Sequence, residues 1–330
     1  MAVTVKDVAH AAGVSQATAA RVLGDYGYAS EDARRRVESS ARRLGYTPNH
    51  VARALVSRAT ETVGLVVGDI DNPFFAAVAR GLSDVVEPRG YTLLLANADE
   101  DPDRERRALR ALRSKRVDGM VVVPAPRADP ASFADSTPLV QLDRAVRGLA
   151  ADAVMVHNAA GAASAVEHLR RLGHTRIGIV SDAPQISSSS ERIAGYRRVM
   201  RACGMLDGSL VSIGGSSREE AHRAALELLE RPDRPTAVFT ANNFMTHGVL
   251  LAARELRLRI PRDLALVGFD DLDWTTLVDP PLTVVSQPVT DLGRVAGERL
   301  LARIDGETGP PRRVRLDTRL IVRGSCGAKS

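Results

Sequence analysis

At the start of this chain apolar residues recur at helical spacing. Val5, Val8, Ala9 and Ala12 fall on one face, Thr4 is placed to cap that helix, and Asp7 stands at its third position in a capping-box-like arrangement. Gly13 suits the left-handed backbone that ends a helix, and Ser15 recaps the chain for a second helix running to Leu23. Two short helices joined by such a turn predict a helix-turn-helix, a device whose second helix enters the DNA major groove. A third helix is predicted over residues 30–45. Ser30 caps it, Glu31 and Asp32 suit the positive end of its dipole, and Gly45 stops it. Val37, Ala41 and Leu44 give it a face that covers the first two helices.

The next segment, residues 46–58, offers a weaker pattern. Pro48 can begin a short helix in which Val51, Ala52 and Leu55 share one face, too short and too weakly apolar to be stable alone. From Thr62 onward the period changes. Apolar runs at 63–67, 91–95, 119–123 and 138–142 alternate with helical patterns at 71–87 and 103–115, the last run closing a first lobe. A second lobe repeats the logic, with strands at 177–180, 210–213, 237–240 and 265–269 and helices at 161–172, 191–203, 218–230 and 246–256. Residues 320–322 form the last apparent strand. Strict alternation predicts parallel sheets covered on both faces, with ligands bound in the crevice at the strands' carboxyl ends. Ser187–Ser190 reads as a flexible loop at the cleft mouth, and Gly214–Ser217 as a turn.

Composition narrows the class. The 330 residues, 44% hydrophobic and 26% charged, fit two or three soluble globular domains. No apolar run spans a bilayer and no signal peptide precedes the first helix, so a cytoplasmic protein is expected. Cys203 and Cys326 are the only cysteines and lie far apart, which argues against a disulfide framework and a cysteine metal site. The net charge of +5 is concentrated: residues 1–58 carry nine basic and five acidic side chains, leaving a basic head on a near-neutral body. Arg34–Arg36, Arg42 and Arg43 are read either as a solvated helix face or as phosphate contacts. Only Lys6, Lys115 and Lys329 are lysine, a bias of genomic composition.

Gln16, Ala17 and Arg21 should face the groove. Gln and Arg make paired hydrogen bonds to adenine and guanine edges, and an Ala methyl can contact thymine. Ser15 and Thr18 can reach phosphates, and Thr4 joins them as a candidate contact. No HExxH, P-loop, CxxC or GxSxG signature is present, so neither catalysis nor a cofactor is expected. An enzyme with a DNA head, or an exported binding protein, explains less of the chain than a ligand-controlled regulator.

The residues Val5-x-Asp7-Val8-Ala9, Gly13-Val14-Ser15, Thr18, Arg21-Val22-Leu23, Tyr46-x-Pro48-Asn49 and Ala52-Arg53-x-Leu55 closely resemble those of the lactose-repressor (LacI/GalR) family of bacterial transcription regulators. The resemblance runs over essentially the whole chain. It implies a helix-turn-helix head (residues 1–46), a hinge helix and linker (47–60) and a periplasmic-binding-protein-like α/β body of two doubly wound parallel-sheet lobes. Those lobes comprise 61–158 with 288–318, and 159–287 with 319–330. It further implies a homodimer on pseudo-palindromic double-stranded operator DNA, acting as a repressor, with hinge contacts from Asn49, Ala52, Arg53 and Leu55. Leu55 matches a leucine that wedges into the minor groove and kinks the duplex. The absence of a heptad tail argues against a tetramer.

For the body the resemblance implies a small-molecule effector, a sugar or sugar derivative. Phe74 and Phe75 match pocket-lining aromatics, with ordinary core as the alternative. Asp143 and Arg144 match a pair that hydrogen-bonds sugar hydroxyls, Arg192 an effector-binding arginine, Asn242 a ligand contact and Asp270 an acceptor. For each Asp a helix cap at a strand–helix turn is the alternative. Planar forks for hydroxyls and rings for the apolar sugar face suit a polyol. Trp274 is left between cleft, core and interface. Departures from the family pattern are Ala19 and Ala20 for the usual Val and Ser, Gly24 for Asn, His157 for Asp and Asn243 for Asp.

Overall fold

A computed structural model describes residues 3–24, 27–46, 59–215 and 217–328, in two units, Met1–Glu61 and Thr62–Ser330. In the first unit α1 (Val5–Ala12), α2 (Gln16–Gly24) and α3 (Glu31–Leu44) close over a small core of Val8, Ala9, Ala12, Ala19, Val22, Val37 and Ala41. Thr4 and Asp7 form a reciprocal capping box, and Gly13 ends α1 with φ at 62°, where a side chain would be strained. Ala19 is fully buried, so the smaller side chain at that position is a core choice. Segment 47–58, with Asn49, Ala52, Arg53 and Leu55, lies outside the described residues.

The second unit starts with β1 (Thr62–Val67), α4 (Pro73–Val86), β2 (Thr92–Asn97), α5 (Pro102–Ser114), β3 (Gly119–Val122), β4 (Leu139–Leu142) and β5 (Asp152–Val156). It continues with α6 (Asn158–Arg171), β6 (Ile177–Ser181), α7 (Ser187–Ala202), β7 (Val211–Ile213), α8 (Arg218–Leu229), β8 (Ala237–Thr240), α9 (Asn243–Glu255), β9 (Ala265–Phe269) and β10 (Thr283–Ser286). The last elements are α10 (Val289–Ile304), β11 (Arg313–Leu316) and β12 (Arg319–Ile321). Two six-stranded sheets result, in the orders β11-β5-β4-β3-β1-β2 and β12-β10-β9-β8-β6-β7. The chain passes between them after β5, after β10 and after β11. In the first lobe α4 and α10 meet backbone to backbone, because a Cβ on Gly81 or Gly293 would strike a carbonyl of the other helix.

Three sequence expectations are corrected. The first lobe does not close at residues 138–142: β5, and later α10 and β11, complete it, and β10 extends the second sheet. A charge hides β5, since Asp152 opens it yet is buried, held by Arg299 and Arg303 at 2.9 Å. Burial opposes ionisation there, but hydrogen bonds from Arg303, the Arg312 backbone and Arg299 outweigh it and hold the carboxyl at about 2. β11, Arg313-Val-Arg-Leu316, hides because an edge strand keeps arginines on its solvent side. The sheets are not wholly parallel either: β12 runs antiparallel to β10 at an edge. Ser187–Ser190 is the first turn of α7 rather than a loop, and Ser188 and Ser189 are buried there.

Candidate functional site

In the head Gln16, Ala17 and Arg21 are exposed on α2, while Ala19 and Val22 on its opposite side are buried. Ser15 accepts from the Thr18 amide at 3.1 Å, and the two hydroxyls lie 2.9 Å apart at the helix N-terminus. Thr4 is committed to its cap, its hydroxyl 2.7 Å from Asp7 Oδ2. Arg36 pairs with Asp32 on the exposed side of α3. An exposed polar stripe on the second helix, beside hydroxyls at its positive end, can address base edges and phosphates together.

In the body one pocket between the lobes is lined by Phe74, Phe75, Asp143, Arg144, Arg192, Asn242 and Asp270. Seven of the eight expected effector residues therefore meet there. Trp274 does not: it packs in the second lobe, edge-on to His247 at 6.5 Å, and lines a neighbouring apolar groove. Phe74 and Phe75 serve both expected roles, as buried core residues whose rings meet edge to face and also wall the pocket.

Strand ends aim the carboxylates. Asp143 follows β4 with φ at 61° and Asp270 follows β9 with φ at 82°, left-handed backbones that are unusual for a residue with a side chain. Arg192, on α7, donates its Nε to Asn158 at 2.8 Å and a terminal N–H to the Ala241 carbonyl at 2.6 Å. Its guanidinium stacks on Phe269, 3.7 Å from the ring centre. Arg144 is held inside its own lobe, paired with Glu100 at both ends of its fork. Asn242 caps α9 and donates to Asp182 at 2.8 Å.

Several ties cross the cleft. The Ala145 amide donates to Ser187 Oγ at 2.9 Å, Asn243 donates to Asn72 at 3.1 Å, and Arg315 pairs with Glu191 at 2.8 Å. Burial raises the Glu191 carboxyl, but Arg315 overcomes this and holds it below its ordinary range. Burial pushes the Asp143 and Asp182 carboxyls up. No group of three metal-ligating side chains occurs among the described residues, and no described helix is long and apolar enough to cross a membrane.

Residues 4–49 match the model of bacterial regulatory proteins of the lacI family, and residues 166–326 match that of a periplasmic binding protein-like domain. The HTH-type transcriptional repressor CytR of Escherichia coli (strain K12) is 33% identical over 332 residues, covering 99% of this chain and 97% of that protein. The chain belongs to the lacI family. The ribose operon repressor of the same organism is 34% identical over 328 residues, covering 98% of this chain and 99% of that one. Among solved structures, a Lac repressor dimer bound to operator and the anti-inducer ONPF superposes with a TM-score of 0.89, at 25% identity, covering 99% of this chain and 100% of that one. This lacI-family member is thus a DNA-binding transcription regulator with an effector-binding body.

The lacI-family pattern by itself did not reveal five further pocket residues: Asn72, Asp182, Ser188, Asn243 and Gln287. Asp182 directly follows β6, so the rule that ligands bind at the carboxyl ends of strands could have found it. Ser188 was hidden by its reading as loop. Asn158, next to the atypical His157, is fully buried and bridges Arg192 and Glu191. His157 itself stays exposed near Asp317.

Proposed function

We propose that this chain is a cytoplasmic repressor that binds a pseudo-palindromic operator as a homodimer and is controlled by a small carbohydrate-type effector, on which it performs no chemistry. The convergence of Phe74, Phe75, Asp143, Arg144, Arg192, Asn242 and Asp270, from five stretches of both lobes, on one inter-lobe pocket carries the reading. Its lining of carboxylates, side-chain amides and guanidiniums beside two aromatic rings suits a polyhydroxylated ligand. The likeness to the ribose operon repressor supports a sugar, and that to the operator-bound Lac repressor dimer supports the assembly.

In this reading Gln16, Ala17 and Arg21 address bases, and Thr4, Ser15 and Thr18 the backbone. The hinge, 47–60, supplies Asn49, Ala52, Arg53 and Leu55. It is the only covalent route from the head (1–46) to the lobes (61–158 with 288–318; 159–287 with 319–330), so coupling runs through it. The effector shifts operator affinity only as far as it binds the two lobe arrangements unequally.

The test is selection of operator sequences from a random duplex library, followed by titration of the selected duplex with and without a panel of sugars and nucleosides. A two-fold-symmetric site is expected, with an affinity that at least one compound changes. That change should vanish in Arg192→Ala while binding without compound persists. Enrichment of no symmetric site, or an undiminished response in Arg192→Ala, refutes the proposal.

A further inference from the structure

The pocket holds more negative charge than its own cations balance, although Ser189 and Asn242 donate to Asp182, and Gln287 and Asn243 to Asp270. Asp143, Asp182 and Asp270 all line it and are each more than nine-tenths buried. Two guanidiniums share the space, but Arg144 is already neutralised by Glu100 through a two-pronged pair. Arg144 also lies 3.4 Å from Asp143, so with Glu100 four carboxylates share two guanidiniums, and Arg192 donates to Asn158 and the Ala241 carbonyl rather than to a carboxylate. Burial raises the Asp143 and Asp182 carboxyls, and each carboxylate of the group hinders ionisation of Asp143 further. Buried like charges are tolerated together when a counter-charge joins them.

A second, independent observation points the same way. Gln287 lines the pocket at 8% exposure. A carboxylate can only accept, so Gln287 turns its Nε2 to Asp270 Oδ1, which leaves its Oε1 buried and without a partner among the described residues. That atom calls for a donor. A further opening of the cleft is lined by Asp69, Asp71, Asp99 and Glu100 from one lobe and Glu219 and Glu220 from the other, with Arg218 the one cation in that lining and Arg104 paired to Asp99. Such a mouth concentrates small cations.

We propose that the effector is a cationic, amine-bearing sugar derivative, its ammonium seated among Asp143, Asp182 and Asp270 and within reach of Gln287. Asp182 sets that preference. An ammonium supplies three donors and the missing charge, whereas a neutral hydroxyl supplies one donor and no charge. The inference rests on the reading of this pocket as the effector site.

The experiment compares matched compounds on the full-length chain by calorimetry and thermal shift: D-glucosamine, D-glucose and N-acetyl-D-glucosamine, and the corresponding galactose set. The amines should bind about tenfold more tightly than their neutral partners, the scale of one charge-assisted contact. Asp182→Asn should bring each ratio close to one. Neutral sugars that bind as tightly as the amines, a preference unchanged in Asp182→Asn, or no binding by any of the six compounds overturns the proposal. Should Asp182→Asn not fold, the ranking on the natural chain decides alone. Failure of the pocket reading looks different: Arg192→Ala would then leave every measured affinity unchanged.

Discussion

The side-chain amide of Asn243 reaches across the cleft to Asn72, its Nδ2 donating to Asn72 Oδ1 at 3.1 Å. The same nitrogen also donates to Asp270 Oδ2 at 3.1 Å. Asn72 in turn caps α4 by accepting from the Phe74 amide, so one amide links the start of a first-lobe helix to a pocket carboxylate of the second lobe. An aspartate at position 243 could not do this. It has no proton to donate and would bring a second negative charge against Asp270.

Asn243→Asp should therefore destabilise the body by about 1–3 kcal/mol, the cost of an unanswered buried polar group. Denaturant unfolding monitored by Trp274 fluorescence reads this directly. A variant as stable as the natural chain would show that the bridge contributes nothing to the fold.

Arg21→Ala should weaken operator binding by about 1–3 kcal/mol and relax discrimination at one base pair per half-site. Binding titrations against operators mutated at each position provide the measurement. A uniform loss across all positions would reassign Arg21 to the phosphate backbone.

Leu55→Ala, in the hinge, should reduce operator bending and affinity without altering effector binding. The warrant is the apolar wedge that unstacks a base step. Circular-permutation gel shifts report the bend, and an undiminished bend removes the wedge assignment.

Glu105 provides a pH prediction. It is fully buried on α5, accepts from the Ala125 amide at 2.6 Å and has one oxygen without a hydrogen-bond partner among the described residues. Burial raises its carboxyl from 4.5 to about 7, aided by Glu100, with the Ala125 amide and Arg144 opposing. The folded state thus keeps a proton that the unfolded chain has released. The associated stability is complete below the unfolded value and is lost as pH rises through about 7. Melting temperatures should fall across that window in the natural chain and fall less in Glu105→Gln. Equal slopes in the two proteins would exclude Glu105 as the source.

Much of the fold was legible because local rules and global structure agree. Thr4, Asp7, Gly13, Ser30 and Gly45 set the ends of the head's helices, and the buried strands of both lobes read as continuous apolar runs. Elements whose burial depends on distant partners were not legible. Asp152 looks polar until Arg299 and Arg303, 147 and 151 residues away, arrive to bury it. Ser187–Ser190 looks like a flexible loop until Asp143, Ala145 and Asp182 supply partners for its hydroxyls.

The site divides in the same way. Residue types at strand ends, and a basic head with a capped helix pair, were enough to establish from sequence a DNA-binding regulator with a ligand cleft, because capping, periodicity and charge act over a few residues. Which side chains share the pocket was decided only by tertiary structure. It seated Trp274 outside, turned Arg144 toward Glu100, and brought in Asp182, Asn243 and Gln287. The physical reason is that a hydrogen-bond partner or a desolvated charge is defined by what the rest of the chain brings within about 3 Å, and sequence spacing carries no record of that distance.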